Sequence, residues 1–362
     1  MLVDRIEHRW IEAFARTFLL SGIGTDRSAG AGLPVAILSE TQSRPINVQL
    51  AELALLRLGA RPFHLQAVTP AQTSPLPIRS TGASVALDAH PGLLASLTAV
   101  PVIVDLTVEG LMHAPELGEI LKNGARVLTI SNEHPDALER LVPDPALAPK
   151  VRAAAHRCRN ALVMSVNSSA GTDLKVGMEE ARTVGVSGFT EKPGTLAHWP
   201  GGLVVSFPAA GKVNGTLVLD AGDINLTFKR YLNEPVRLTI ENDYVTDIEG
   251  SGADAEMFRR YLQGFGEKDA YAVSHVGFGL NENARYEALA CYDQRDTNGT
   301  ELRAFAGNFL FSTGANEFAG RFTRGHFDLP VRGCTIKLDD AEVVTKGLVD
   351  WPALSGDQEQ KH

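Results

Sequence analysis

Apolar residues in the first 150 positions alternate between short unbroken runs and longer stretches of helical spacing. LPVAILSE (33–40), VPVIVDLT (100–107) and RVLTIS (126–131) are continuous apolar runs, as expected of strands buried on both faces. Between them, VQLAELALLRLGA (48–60) repeats its apolar positions with a helical period and stops at Gly59. PELGEILKNGA carries Pro115 as a first-turn residue and Gly124 as a C-terminal stop. Strand and helix alternating at this length predict an α/β, Rossmann-like domain over residues 1–158, with a mostly parallel sheet and helices on both faces.

After about residue 158 the pattern changes. NALVMSV, GLVVSF, GTLVLDAG, VRLTIENDYVTDIEG and CTIKLDDAEVV are strand-like, and ADAEMFRRYLQGF (253–265) is the one clear helix. Asn242-Asp243 and Asp339-Asp340 sit between β-rich arms and predict hairpins. The expectation is a β-rich α+β domain over 159–352, followed by a polar, flexible tail at 353–362. No internal repeat or low-complexity segment stands out.

Composition narrows the function classes. The chain has 362 residues, 44% of them hydrophobic, and a formal net charge of -9. That length and apolar content suit two cores. The acidic balance argues against nucleic acid or an anionic membrane as partner. Three scattered cysteines (Cys158, Cys291, Cys334) form neither a disulfide framework nor a zinc pair. The N-terminal segment has acids and Arg among its apolar residues and lacks a signal-peptide core, and no run approaches a membrane span. These features lead to the expectation of a cytoplasmic protein.

The chemistry-bearing residues cluster near the C-terminal end. SHVGFGL holds His275, and RGHFDLP holds His326 and Asp328. Two histidines and one carboxylate are the ligand set of a facial-triad non-haem iron site. On a strand, residues two apart share a face, so His326 and Asp328 can reach one ion. His275 lies in the apolar stretch YAVSHVGFGL and needs a polar partner or a metal there. A core histidine bonded to backbone, with HFD in a surface hairpin, is an equally ordinary arrangement, and spacing alone leaves both open. His113 falls just beyond a predicted parallel strand, where open α/β sheets place ligands. His198 falls in the Gly- and Pro-rich LAHWPGG, read as a loop. Either can move protons near neutral pH, or be an ordinary exposed histidine. Asp220 and Asp223 beside Gly222 read as turn caps or outer carboxylates. The Gly-rich GIGTDRSAGAG (22–32) precedes the first strand and has the wrong spacing for a dinucleotide fingerprint. GxxxxGK[ST], HExxH and GxSxG are absent.

Longer blocks carry a resemblance. LMHAPELGEILKNGARVL, HWPGG, GTLVLDAGDINLTFKRY, SHVGFGL, RAFAGNFLFSTGAN and HFDLPVRGCTIKLDDAEVV are similar to stretches of the 2,5-dihydroxypyridine 5,6-dioxygenase family, the ring-opening enzymes of bacterial nicotinate catabolism. The likeness runs from about residue 105 to 350 and is dense after 195. The first hundred residues show little of it and include an apparently extra stretch, AVTPAQTSPLPIRSTGAS. The resemblance implies Fe(II) on His275, His326 and Asp328, with His113 and His198 as acid/base groups. It implies a small aromatic N-heterocyclic substrate, dioxygen as co-substrate and N-formylmaleamate as product. It further implies a homo-oligomer, a hexamer being one size it allows. Trp199, Phe228 and Phe278 are the aromatics nearest the matched motifs and candidates for stacking on a flat ring, with core packing at least as ordinary a place for Phe228 and Phe278; Asn308 is a candidate to hydrogen-bond a ring substituent or bound oxygen. The family resembles, remotely, the thermophilic-type metallo-aminopeptidases, which makes a two-metal hydrolase the rival reading. Those enzymes carry a Glu where this chain has His275, and the stretch WPGGLVVSFP offers no second carboxylate. Two-metal hydrolysis needs such bridging ligands.

Overall fold

The computed structural model describes residues 5–24, 32–72, 84–88, 90–190 and 192–355. Most of the Gly-rich 22–32 segment, most of the extra stretch at 67–84 and the end of the tail lie outside the described residues. The short helix Trp351–Ser355 takes in residues 353–355, the first of the expected flexible tail.

The first half is α/β. Pro34–Glu40 (β1) is buried at every position but Pro34, so it requires cover on both faces. It lies between Arg61–Ala67 (β2) and Val102–Asp105 (β3), and Arg126–Ile130 (β4) follows, all parallel. Helices His8–Leu20 and Pro45–Arg57 supply Trp10, Phe14, Phe18, Leu50 and Leu55 to one core layer. Leu97, Leu111 and Ile120 supply a second layer, against Ala36, Leu38 and Ile103. The helix predicted from residue 48 begins at Pro45, which needs no backbone N–H there. It ends before Gly59, whose φ of +75° is a left-handed stop.

Helix Leu147–Asn160 leads to Val163–Asn167 (β5), Asp173–Gly177 (β6) and Arg182–Val186 (β7). Leu196–Trp199 (β8) then returns to the parallel sheet beside β4. The two sheet systems are therefore not separated by one cut near residue 158. Leu203–Phe207 (β9) leaves the parallel sheet. The rest is antiparallel: Val213–Leu219 (β10), the ribbon Ile224–Asn225 (β11) and Arg230–Tyr231 (β12), Val236–Glu241 (β13), Tyr244–Glu249 (β14), Val273–Gly279 (β15), Phe309–Asn316 (β16), Arg321–Val331 (β17), Thr335–Leu338 (β18), Ala341–Thr345 (β19) and Leu348–Val349 (β20). One sheet runs β14-β13-β10-β6-β5-β18-β19-β20 and the other β17-β16-β15-β9-β7. Their apolar faces share one core, with Met164, Val166 and Leu217 from the first sheet and Phe278, Phe311 and Phe327 from the second. Helix Ala253–Gly264 adds Phe258, Tyr261 and Leu262 to it. Both expected hairpins form, with positive φ at Asn242, Asp243 and Asp339.

Candidate metal centre

Three adjacent strands of the second sheet bring the predicted ligands together. Along β17, His326 and Asp328 point to one face. Phe327 between them points into the core, against Phe258 and Tyr261. The neighbouring strand pairs Ser312 with Asp328 and Gly314 with His326. Gly314 has φ +124°, and a Cβ there would lie 2.1 Å from the Gly325 carbonyl oxygen, so no larger residue fits opposite His326. His275 comes from β15, inside a register shift against β16 between Val273 and Val276. A bulge of this kind re-aims a side chain.

His326 Nε2 lies 3.2 Å from Asp328 Oδ1, and His275 Nε2 lies 3.5 Å from the same oxygen. The three ligand atoms all fall within 4.8 Å of one another, and all three residues are buried. Two atoms bonded at right angles to one ion at about 2.1 Å sit about 3 Å apart, so the donor set fits a single cation. Among the described residues this is the one such group of His, Cys, Asp or Glu.

The electrostatics prepare the donors. Burial opposes the charge on Asp328, but Arg303 foremost, then His326 and His275, outweigh it and hold the carboxyl well below its usual range. Arg303 reaches Asp328 Oδ2 with Nε and Nη2, each at 2.6 Å. Ser312 Oγ donates to Oδ1 at 2.5 Å. Burial pushes His275 down to about 3, so it is a neutral imidazole near pH 7, as ligation requires. Its Nδ1 is buried without a hydrogen-bond partner.

His113 joins this group. Asp105, at the end of β3, accepts hydrogen bonds from the Thr107 and Leu111 N–H groups and from the Thr107 and Thr129 hydroxyls. These fold the following loop and carry His113 to within 5.4 Å of His326, ring centre to ring centre. His113 Nδ1 lies 3.4 Å from Glu317 Oε1. Burial favours a neutral Glu317, but the bond to His113 outweighs it and lowers the pKa. Phe207, from β9, packs edge-on against both His113 and His275 and against Phe318.

His198 lies on β8 rather than in a loop, paired with Thr129 of β4. Burial, then the charge of Arg303, push it down to about 4, and its Nδ1 is buried without a partner. The expectation for Trp199 needs correction. Alternation along β8 turns it away from the His198 side, and its ring packs on Phe14 while Nε1 donates to the Leu141 carbonyl at 2.7 Å. It belongs to the core packed against the parallel sheet. Phe228 packs against Tyr261 and Phe327, on the core side of β17, and Phe278 is fully buried. Asn308 Nδ2 donates to the Arg303 and Phe305 carbonyls, which ties down the segment bearing Arg303. Among the described contacts, none joins these four residues to the three ligands.

Arg303, Ser312, Phe207 and Glu317 escape sequence reasoning. Arg303 and Ser312 stand inside the block RAFAGNFLFSTGAN, but nothing local says that they meet a carboxylate far along the chain.

The profile of the 2,5-dihydroxypyridine 5,6-dioxygenase (NicX) family matches residues 9–350, so the likeness extends well into the N-terminal hundred residues. A 2,5-dihydroxypyridine 5,6-dioxygenase of Pseudomonas putida KT2440 is 37% identical over 327 residues, covering 89% of this chain and 92% of that one. A solved structure of the dioxygenase from P. putida KT2440 superposes with a TM-score of 0.88 at 34% identity, over 96% of this chain and 98% of that one. AmpT from Thermus thermophilus superposes with a TM-score of 0.62 at 14% identity, over 94% and 99% of the two chains, a likeness of fold alone. With this extent of match in sequence and structure, the chain belongs to the 2,5-dihydroxypyridine 5,6-dioxygenase family.

Proposed function

We propose that the protein is an Fe(II)-dependent dioxygenase that opens the ring of 2,5-dihydroxypyridine, or of a close hydroxypyridine analogue, and works as a cytoplasmic homo-oligomer. The observation that carries the reading is the buried group of His275, His326 and Asp328 with His113 beside it, in a chain of this family. His275, His326 and Asp328 would hold the ion. When bound, Fe(II) gives a ring hydroxyl and dioxygen a common centre and a path for electrons between them.

The chain's own groups handle position and protons. Phe207 flanks His113 and His275 with an apolar wall against which a flat ring can lie. Glu317, facing His113 Nδ1, favours the tautomer with the proton on that nitrogen. His113 Nε2 is then a free base for a ring hydroxyl. His198, kept neutral by burial and by Arg303, serves as the second group that moves a proton. The overall reaction needs no outside reductant, because both atoms of dioxygen enter the opened product.

The test is oxygen uptake by Fe(II)-reconstituted protein after adding 2,5-dihydroxypyridine. Uptake equimolar with loss of the ring absorbance is expected. Iron-loaded protein that consumes no oxygen with this ring or with a panel of related hydroxypyridines would sink the reading.

A further inference from the structure

Asp328 offers two oxygens, and the structure treats them differently. Oδ1 faces His275 Nε2 at 3.5 Å and His326 Nε2 at 3.2 Å and accepts from Ser312 Oγ. Oδ2 is held by two guanidinium nitrogens of Arg303, both at 2.6 Å. A guanidinium is planar and presents its donors as a fork, and here both donors close on Oδ2, so that oxygen is engaged while the charge is balanced. Arg303 is itself held firmly. It lies on the short helix Thr300–Ala304, whose first N–H groups are bound by the buried carboxylate of Glu133. Its own carbonyl accepts from Asn308 Nδ2.

We infer that Arg303 is a positioning residue that confines Asp328 to binding the metal through Oδ1 alone. The inference rests on the metal-site reading above. An unrestrained carboxylate can bind a cation through one oxygen or through both. Two-oxygen binding at Asp328 would occupy a position that the ring substrate or dioxygen needs. With Oδ2 engaged by Arg303, a bound ion would take one atom from each of the three residues, which would leave about three positions for other ligands. Neither histidine can supply this restraint, because both approach the opposite oxygen.

The experiment counts open positions directly, without turnover. Mn(II) is added to the metal-free full-length protein, and water-proton relaxation reports the number of exchangeable waters on the bound ion. The unaltered protein should carry about three. Arg303→Gln, which lacks the charge and the fork, should bind Mn(II) at least as tightly but carry one water fewer. Its affinity for 2,5-dihydroxypyridine in the Mn(II) form should fall tenfold or more. The carboxylate stretching bands should draw together, the infrared sign of two-oxygen binding. If Arg303→Gln does not fold, Arg303→Lys decides. It keeps the buried charge but covers Oδ2 from one direction only, so a partial drop in water count and the same infrared shift are expected. An unchanged count and unchanged bands in the folded variant would overturn the role of Arg303 and leave the metal site standing. Failure of the unaltered protein to bind Mn(II) would overturn both.

Discussion

Glu133 links the two sheet systems at the point from which Arg303 is aimed, and its removal should be costly. It lies just past β4 and is 2% exposed. Its Oε1 accepts from the N–H of Gly299 at 2.8 Å and of Thr300 at 3.0 Å, and Oε2 accepts from Asn298 N–H at 2.8 Å. Glu133→Ala leaves these donors without their acceptor. A buried unsatisfied donor costs about 1–3 kcal/mol, and Asn298 N–H, being partly exposed, recovers some of that from water. The other contacts of this loop survive, including Arg44 to Asp296 at 2.6 Å and Ser131 to Thr300 at 2.8 Å, so the segment loosens rather than detaches. The expected loss is about 3–5 kcal/mol for Ala and roughly half that for Gln, which keeps one acceptor oxygen. Against a typical total of about 5–15 kcal/mol this is large. Urea unfolding of the metal-free protein measures the loss, and amide hydrogen exchange localises it. Exchange should quicken at Asn298, Gly299 and Thr300 before the antiparallel strands. A loss under about 1 kcal/mol with unchanged exchange at those three amides would mean that Glu133 does not hold this loop.

Asp328→Ala should lose bound iron altogether, read by metal analysis after desalting; full occupancy would remove Asp328 from the centre. His113→Ala should keep its iron but lose roughly 10²–10⁴ in turnover, the usual cost of deleting a placed acid or base; an iron-free variant would instead make His113 part of the metal site. Trp199→Phe should leave KM for the ring unchanged and cost about 1–2 kcal/mol through the lost hydrogen bond to Leu141, checked by urea unfolding alongside steady-state kinetics. Acid should destabilise the metal-free protein. His275 and His198 have folded pKa values near 3 and 4, below the unfolded value of 6.5. The unfolded chain therefore binds more protons as pH falls below 6.5, and each group removes about 1.4 kcal/mol per pH unit until its own folded pKa is reached. The depressed Asp328 adds a loss of the same sign below its ordinary value of 3.8. A flat urea-unfolding stability between pH 6.5 and 4.5 would contradict this.

The chain's own residue pattern determines the element types and part of the site. Continuous apolar runs such as LPVAILSE can be satisfied only between two covering layers, so a parallel sheet is readable without coordinates. The two-residue repeat of a strand places His326 and Asp328 on one face whatever the rest of the chain does. Asn242, Asp243 and Asp339 mark their turns because few other residues tolerate positive φ. Other features depend on chain segments far apart in sequence. The return of β8 to the parallel sheet turns His198 from a loop residue into a buried one and seats Trp199 in the core against that sheet. His275 meets β17 only through β16 and a register shift, and Arg303 reaches Asp328 only because Glu133 and Asn308 fix its helix. Local pattern reports which way a residue faces along its own strand or helix. Which distant group it faces is set by sheet order, register and the pairing of buried charges, and these exist only once the chain has folded.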